Sequence, residues 1–266
     1  MADIRLENVS KTYVRPVGLA ADLRYPAVVK PANSRPFYMH YGIKAYLAYT
    51  PEDLVRTFEE FSSTGHVMLI EEFIEGGDQN VYSVQTCVDG QGNSMIGFVH
   101  QNILQEPPVF GPLLVSQHVQ QPEVAMLCQR AIRALGFHSY ICDLEFKYDP
   151  VNRAWKFLEL NPRPVMTTML PTMSGVNVPF MAYRQLLGHA VPRYGVSRPG
   201  MSWVMELTTP NGYRNLGSLI LASRKRHFRD VVYAFFSTDD PKPFFYALMV
   251  GVQEVRNKLA LGRMSG

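Results

Sequence analysis

Cysteine is scarce in this sequence: Cys87, Cys128 and Cys142 are the whole complement, odd in number and far apart. A small secreted fold stapled by disulfides is thereby excluded, and reduced, buried thiols in a cytoplasmic protein are expected. Long apolar runs are missing too, and none approaches the roughly 20 residues that span a bilayer. The opening stretch carries Asp3, Glu7, Lys11 and Arg15 where an export signal needs an unbroken apolar segment. Neither sign of charge dominates, since 26 Lys and Arg stand against 23 Asp and Glu for a formal net charge of +3. A nucleic-acid footprint requires a basic cluster or stripe, and the densest one, Arg224, Lys225, Arg226 and Arg229, occupies little more than a helical turn of chain. Neither nucleic acid nor a membrane is expected as a partner. There is no Walker loop, no strand-coupled G-x-G-x-x-G, no C-x-x-C and no G-x-S-x-G. The seven histidines lack metal-ligand spacing, so His100 and His118 read as surface or hydrogen-bonded polar residues.

What is present is 266 residues, 47% hydrophobic and 18% charged, enough for one large domain or two smaller ones. Residues 25–30 form a β-branched strand closed by Pro31, followed by a loop to Gly42. Pro51, Glu52 and Asp53 open a helix whose Leu54, Phe58 and Phe61 share a face, and Gly65 stops it before a strand at 67–70. Residues 81–89 and 94–101 read as a hairpin around Gly90, Gln91 and Gly92, with a proline-rich loop at 107–112. A helix over 123–135 has Val124, Leu127, Cys128 and Ala131 on one face. A second hairpin pairs 140–148 with 154–160. Further on, a helix at 180–187, strands at 202–207 and 218–222, and a terminal helix with Phe245, Leu248, Met249, Val252 and Val255 inward are expected.

The second hairpin concentrates the chemistry. With its turn centred on Asn152, Glu145 lies across from Glu159 and Asp143 across from Asn161. Period 2 then predicts an outer face of these four residues and an inner face of Leu144, Phe146, Leu158 and Leu160. Facing carboxylates repel unless a cation or a shared proton neutralises them. Glu145, Glu159 and Asn161 supply the hard oxygen ligands that Mg²⁺ prefers, and the break at Asn161-Pro-Arg-Pro164 sets the Arg163 guanidinium beside them. A solvated sheet face neutralised by Lys147 and Arg163 is the competing reading. Lys30, ending its strand, is placed to meet a phosphate as a point charge, with Lys44 able to share the task. The segment Glu71, Glu72, Phe73, Ile74, Glu75, Gly76, Gly77, Asp78 offers backbone groups and apolar walls to a flat ring and a carboxylate to ribose hydroxyls; an ordinary acidic turn is its alternative.

Together, Y-P-A-V-V-K-P at 25–31, L-I-E-E-F-I-E-G-G-D at 69–78 and L-E-F-K-Y-D-P with F-L-E-L-N-P-R across 144–163 resemble the ATP-grasp superfamily. Within it, the chain is similar to the carboxylate-amine ligase branch that includes D-aspartate ligase-like proteins. The resemblance implies an α+β fold of two lobes with mixed and antiparallel sheets enclosing a nucleotide cleft. It implies ATP and Mg²⁺ as cofactors and ligation of a small-molecule carboxylate to an amine through an acylphosphate. Lys30 would contact the α- and β-phosphates, and Glu71 the adenine amino group. Glu72, Phe73 and Ile74 would form the adenine hinge, and Asp78 would meet the ribose. Glu145, Glu159 and Asn161 would hold Mg²⁺, and Arg163 would face the transferred phosphoryl group. The expected organisation is an atypical N-terminal segment at 1–24, a partial first lobe at 25–75, a second lobe at 76–196 and a packed extension at 197–266. Residues 1–24 depart from the family pattern, which implies a truncated nucleotide-binding module without ligase activity as the alternative, or a homo-oligomer or partner subunit covering the missing region. A structural or interaction protein is the third reading.

Overall fold

The computed structural model describes residues 20, 23–138, 140–191, 200–206 and 230–262. Expectations for the strand at 218–222, the basic cluster at 224–229 and the side chains of Val252 and Val255 lie outside the described residues. The described chain forms two compact units, one reaching to Glu75 and including Asp149–Val151, the other comprising Gly76–Tyr148 and the chain from Asn152 onward.

The first unit is a three-stranded antiparallel sheet with two helices. Strand β1 (Ala27–Pro31) is central, flanked by β2 (Tyr46–Ala48) and β3 (Met68–Glu72). The stretch after β1, expected as a loop, contains helix α1 (Ser34–Tyr41). Its Pro36 sits in the first turn, where no helical N–H is lost, and Gly42 ends the helix at φ 71°. Helix α2 (Pro51–Ser63) starts as expected: the Thr50 side chain accepts a hydrogen bond from the Asp53 N–H, at 3.2 Å. Phe37, Leu54, Phe61, Val29 and Met68 form the core of this unit.

The second unit is built on a seven-stranded sheet: β4 (Val81–Cys87), β5 (Phe98–Gln105), β6 (Leu113–His118), β7 (Ile141–Asp149), β8 (Ala154–Asn161), β9 (Ser202–Val204) and β10 (Val231–Tyr233). Their order is β10-β9-β6-β5-β4-β7-β8, and the β9–β10 pair is parallel. The stretch expected as an extension thus contributes two strands to this sheet. Helix α3 (Pro122–Ala134) covers one face through Val124, Leu127, Cys128, Ala131 and Ile132, packed against Val84, Val99, Leu144 and Phe146. Helices α4 (Met169–Met173) and α5 (Val178–Leu186) cover the other, with Leu170, Val178 and Met181 against Phe98, Ile141 and Trp203. All three cysteines are free and buried.

Two side-chain placements differ from expectation. On β8, Trp155 and Phe157 face Tyr148 and Phe146 at ring distances of 5.2 and 5.7 Å, and Leu160 joins the same core. Leu158, expected on the inner face, is absent from this core, and Trp155 and Phe157 take part in it instead. In helix α6 (Lys242–Gly262), Leu248 is half-buried as expected, but Phe245 and Met249 are 57% and 63% exposed, and Phe244 is half-buried in their stead, edge-on to Phe236 at 5.6 Å. The helix is apolar on two adjacent stripes, and periodicity alone does not choose between them.

Beyond β9, the buried Glu206 carboxylate accepts the backbone N–H groups of Ala234, Phe235 and Phe236 at 2.7–2.9 Å. This carboxylate fastens the chain after β10 to the end of β9. Glu206→Gln keeps the shape but turns an amide NH₂ toward N–H donors, and should lower unfolding free energy by about 1–3 kcal/mol in a denaturant titration; an unchanged midpoint would remove the anchor role.

Candidate functional site

In the first unit the β1–β3 register sets Val28 opposite Glu71 and Lys30 opposite Leu69. Lys30 and Glu71 therefore lie diagonally on one face, while Val29, Met68 and Ile70 point to the helices. Their side chains form an ion pair, Nζ to Oε2 at 2.7 Å, and both remain partly exposed. Glu72 is exposed at the end of β3, Phe73 and Ile74 are half-buried just beyond it, and Lys44 is exposed after the Gly42 turn. The structure thus brings Lys30 and Glu71 together, and the segment expected as the hinge leads directly out of β3, the strand that carries Glu71.

In the second unit, Asp78 opens a short 3₁₀ turn (Asp78–Asn80) before β4. Its two carboxylate oxygens accept the N–H groups of Gln105 and Val109, both at 2.8 Å, which clamps the proline-rich loop after β5. Val109 sits at φ 73°, a left-handed conformation that is strained for a β-branched residue. The carboxylate expected at a ribose thus holds a strained loop.

Strands β7 and β8 carry the remaining residues. Asp143 lies opposite Gln85, and Glu145 opposite Ser83, on the face covered by α4 and α5. The expected outer face is closed at Asp143, only 2% exposed, against the competing reading of a solvated face, and its Oδ1 has no hydrogen-bond partner among the described residues. Burial, then the charges of Glu145 and Glu159, push this carboxyl well above the usual carboxylate range, with Arg163 opposing the shift. The Asn161 amide donates to Glu159 Oε1 at 2.8 Å, and Arg163 donates to Pro164 O at 3.1 Å and, more weakly, to Asn161 Oδ1 at 3.4 Å. Asp143, Glu145, Glu159, Asn161 and Arg163 are thus one neighbourhood. Among the described residues no group of three or more His, Cys, Asp or Glu side chains is placed to hold a metal ion; the expected set is two carboxylates and an amide. An orphaned buried acceptor beside a set of hard oxygen donors fits a small divalent cation.

Sequence reasoning missed the buried polar layer under these residues. His100, only 1% exposed, lies opposite Ser83, in one cross-strand row with Glu145 and His118. Burial and His118 push its imidazole down to about 3, so it is neutral. The available signal was the alternation of β4: Ser83, Gln85 and Cys87 share a face, and a Gln on a core-facing position needs a buried partner.

Comparison with known proteins places this geometry in a family. The family described as carbamoyl-phosphate synthase L chain, ATP binding domain, matches residues 6–192, and the chain belongs to it. The match starts inside the stretch expected to be atypical. With the likeness of fold to solved structures, it makes the chain an ATP-grasp protein with the α+β fold expected. The carbamoyl phosphate synthase large chain of Clavibacter sepedonicus is 25% identical over 197 residues, 71% of this chain and 17% of that protein. The D-aspartate ligase of Enterococcus faecium is 23% identical over 167 residues, 58% of this chain and 38% of the ligase. The chain therefore spans less than two fifths of either curated relative. Among solved structures, the biotin carboxylase domain of Hydrogenobacter thermophilus 2-oxoglutarate carboxylase, in complex with MgADP, ADP and bicarbonate, superposes with a TM-score of 0.53. That match has 20% identity and covers 70% of this chain and 42% of that one, a likeness of fold. No helix among the described residues is long and apolar enough to cross a membrane.

Two outcomes follow for stability. His100 is neutral when folded and takes up a proton when unfolded below about pH 6.5, so its contribution is complete above that pH and is lost as pH falls toward its folded value of about 3. Stability should drop by up to about 1.4 kcal/mol per pH unit in that window, and His100→Asn should flatten this slope in pH-resolved urea titrations; an unaltered slope would remove His100 as its source. Asp78→Ala leaves the Gln105 and Val109 N–H groups without acceptors and should cost about 1–3 kcal/mol, with faster proteolytic nicking of the loop after β5; resistance equal to wild type would show that the loop does not depend on the clamp.

Proposed function

We propose that this chain is an ATP- and Mg²⁺-dependent ligase domain that joins a carboxylate to an amine through an acylphosphate. The observation that carries the reading is the neighbourhood of Glu145, Glu159 and Asn161 with Arg163 beside them, in a chain of an ATP-binding-domain family. Glu145, Glu159 and Asn161 would hold Mg²⁺, which when bound offsets the charge of the nucleotide phosphates. Lys30 leaves its pairing with Glu71 to hold the α- and β-phosphates as a point charge. Glu71 then accepts from the adenine amino group, the Glu72, Phe73 and Ile74 segment lines the ring, and Lys44 adds positive charge near the phosphates. Asp78 acts at the ribose side by holding the loop after β5.

In the first step a substrate carboxylate oxygen attacks the γ-phosphorus, and the bond from that phosphorus to the β–γ bridging oxygen breaks, releasing ADP. Arg163 stabilises the charge on the transferring phosphoryl oxygens. In the second step the amine nitrogen attacks the acyl carbon, inorganic phosphate departs with the C–O bonding pair, and the nitrogen loses a proton to give the amide. Substrates are accordingly a small carboxylate and a small amine.

The central test is Glu159→Gln, which keeps size and reach and removes charge. Mg²⁺-dependent ATP binding should weaken by tenfold or more, and any ATP turnover should disappear, with an unchanged thermal melt of the metal-free protein. Unaltered affinity and turnover would take Glu159 out of the site and favour a solvated acidic face. Phosphate release separates a ligase from a nucleotide-binding module that binds Mg·ATP without turning it over. Lys30→Ala provides an independent check in the other unit. It should weaken ATP more than adenosine, each tenfold loss being about 1.4 kcal/mol; equal losses for both ligands would contradict a phosphate role.

A further inference from the structure

The segment after β8 carries Arg163 between two prolines, Pro162 and Pro164, which donate no backbone N–H. Its local order comes from the Arg163 N–H to Asn161 O, at 2.8 Å, and from a turn in which the Thr168 hydroxyl meets Val165 N and O at 3.0 and 2.6 Å. These bonds shape the segment without attaching it to the sheet. Thr167, in the 3₁₀ turn Met166–Thr168, is buried, and its hydroxyl accepts from the Gln85 amide at 2.8 Å. The same amide nitrogen lies 3.2 Å from His100 Nε2, and the Thr167 hydroxyl lies 3.3 Å from it.

We propose that Gln85, His100 and Thr167 form a buried pin that positions the segment 162–168, and with it Arg163, over the carboxylates of β7 and β8. The hydrogen-bond chemistry assigns the roles. With the Gln85 amide NH₂ toward it as a donor, His100 Nε2 accepts, which assigns the imidazole proton to Nδ1, a buried atom without a hydrogen-bond partner among the described residues. Gln85 gives one hydrogen to Thr167 and the other to His100, an arrangement without net charge that does not compete with the carboxylates for a cation. Register links the pin to the acidic residues: Gln85 lies opposite Asp143, and His100 shares with Glu145 the partner Ser83. The turn that follows Arg163 is therefore tied to the strand positions adjoining the carboxylates.

This inference rests on the proposed ligase reading for its kinetic arm, and the experiment keeps the two apart. Thr167→Val is nearly isosteric and deletes the hydroxyl. Amide hydrogen exchange in nucleotide-free protein should then accelerate at least tenfold at Thr168, whose N–H bonds to Val165 O, while amides of β4 and β5 stay protected; unchanged exchange at Thr168 would overturn the pin. This arm stands whether or not the wild type turns over ATP. Where it does, Thr167→Val should reduce turnover tenfold to a hundredfold with Mg·ATP affinity changed less than twofold, since a displacement of about 1 Å of a positioned group costs about 100-fold. Thr167→Ser should restore both readouts. Combining Thr167→Val with Arg163→Ala should lose no more turnover than Arg163→Ala alone, because both act through one guanidinium; additive losses would show that Thr167 does not work through Arg163. Should Thr167→Val unfold the protein, Gln85→Met breaks the pin from the sheet side, and unchanged exchange at Thr168 in that variant would equally overturn it.

Discussion

Crowding of negative charge against a buried sheet face is the constraint on which the rest of this unit depends. Asp143 sits below the surface with Glu145 and Glu159 near enough to raise its proton affinity, and Arg163 is the residue whose charge works against that rise. Such a group is tolerated only with its proton, a guanidinium or a bound cation to offset it. Each of these has its counterpart in the chain: burial favours the proton, the Pro-Arg-Pro turn after β8 carries the guanidinium, and the proposed cation would take the oxygen donors of Glu145, Glu159 and Asn161. β8 is the edge strand of the seven-stranded order and carries the exposed Glu159, with the exposed Arg163 just beyond it, whereas Asp143 is sealed on β7, which lies between β4 and β8.

A second consequence concerns the buried polar layer. A wholly apolar face under the carboxylates would worsen their desolvation, whereas Gln85, His100 and Thr167 supply neutral dipoles joined by hydrogen bonds at the Gln85 amide, the Thr167 hydroxyl and His100 Nε2. His118 stacks on Phe98 at a ring distance of 4.3 Å, and His100 stays uncharged beside it. Polar groups on this face are thus part of the support for the acidic residues above.

Much of this was legible in the residue order, and the exceptions have physical causes. The β7–β8 hairpin, α2 and α3 were readable because turn residues, caps and one clear periodicity agree. Helix α1 was not, since Pro36 and Gly42 look like loop punctuation until the proline is placed in a first turn and the glycine at a cap. Strands β6 and β10 and helix α4 escaped notice because β6 follows a proline and glycine cluster, and β10 and α4 are three and five residues long. At the site, Lys30 and Glu71 were each identified, but their pairing depends on a diagonal relation across β1 and β3 that only register reveals. Asp78 is expected at a ribose because a glycine-rich acidic segment suits one, and the structure adds a task the residue order does not show, since each carboxylate oxygen accepts an N–H from a loop some thirty residues on. Long-range partners of this kind leave no local pattern.

The account's central claim is that Glu145, Glu159 and Asn161 hold a divalent cation together with a nucleotide. A crystal grown with ADP and Mn²⁺ tests it directly through anomalous scattering. An anomalous peak about 2.0–2.3 Å from oxygens of these three side chains, bridged to the phosphates of bound ADP, is the predicted result. ADP bound with manganese elsewhere, or no nucleotide and an acidic face surrounded only by solvent, would contradict it.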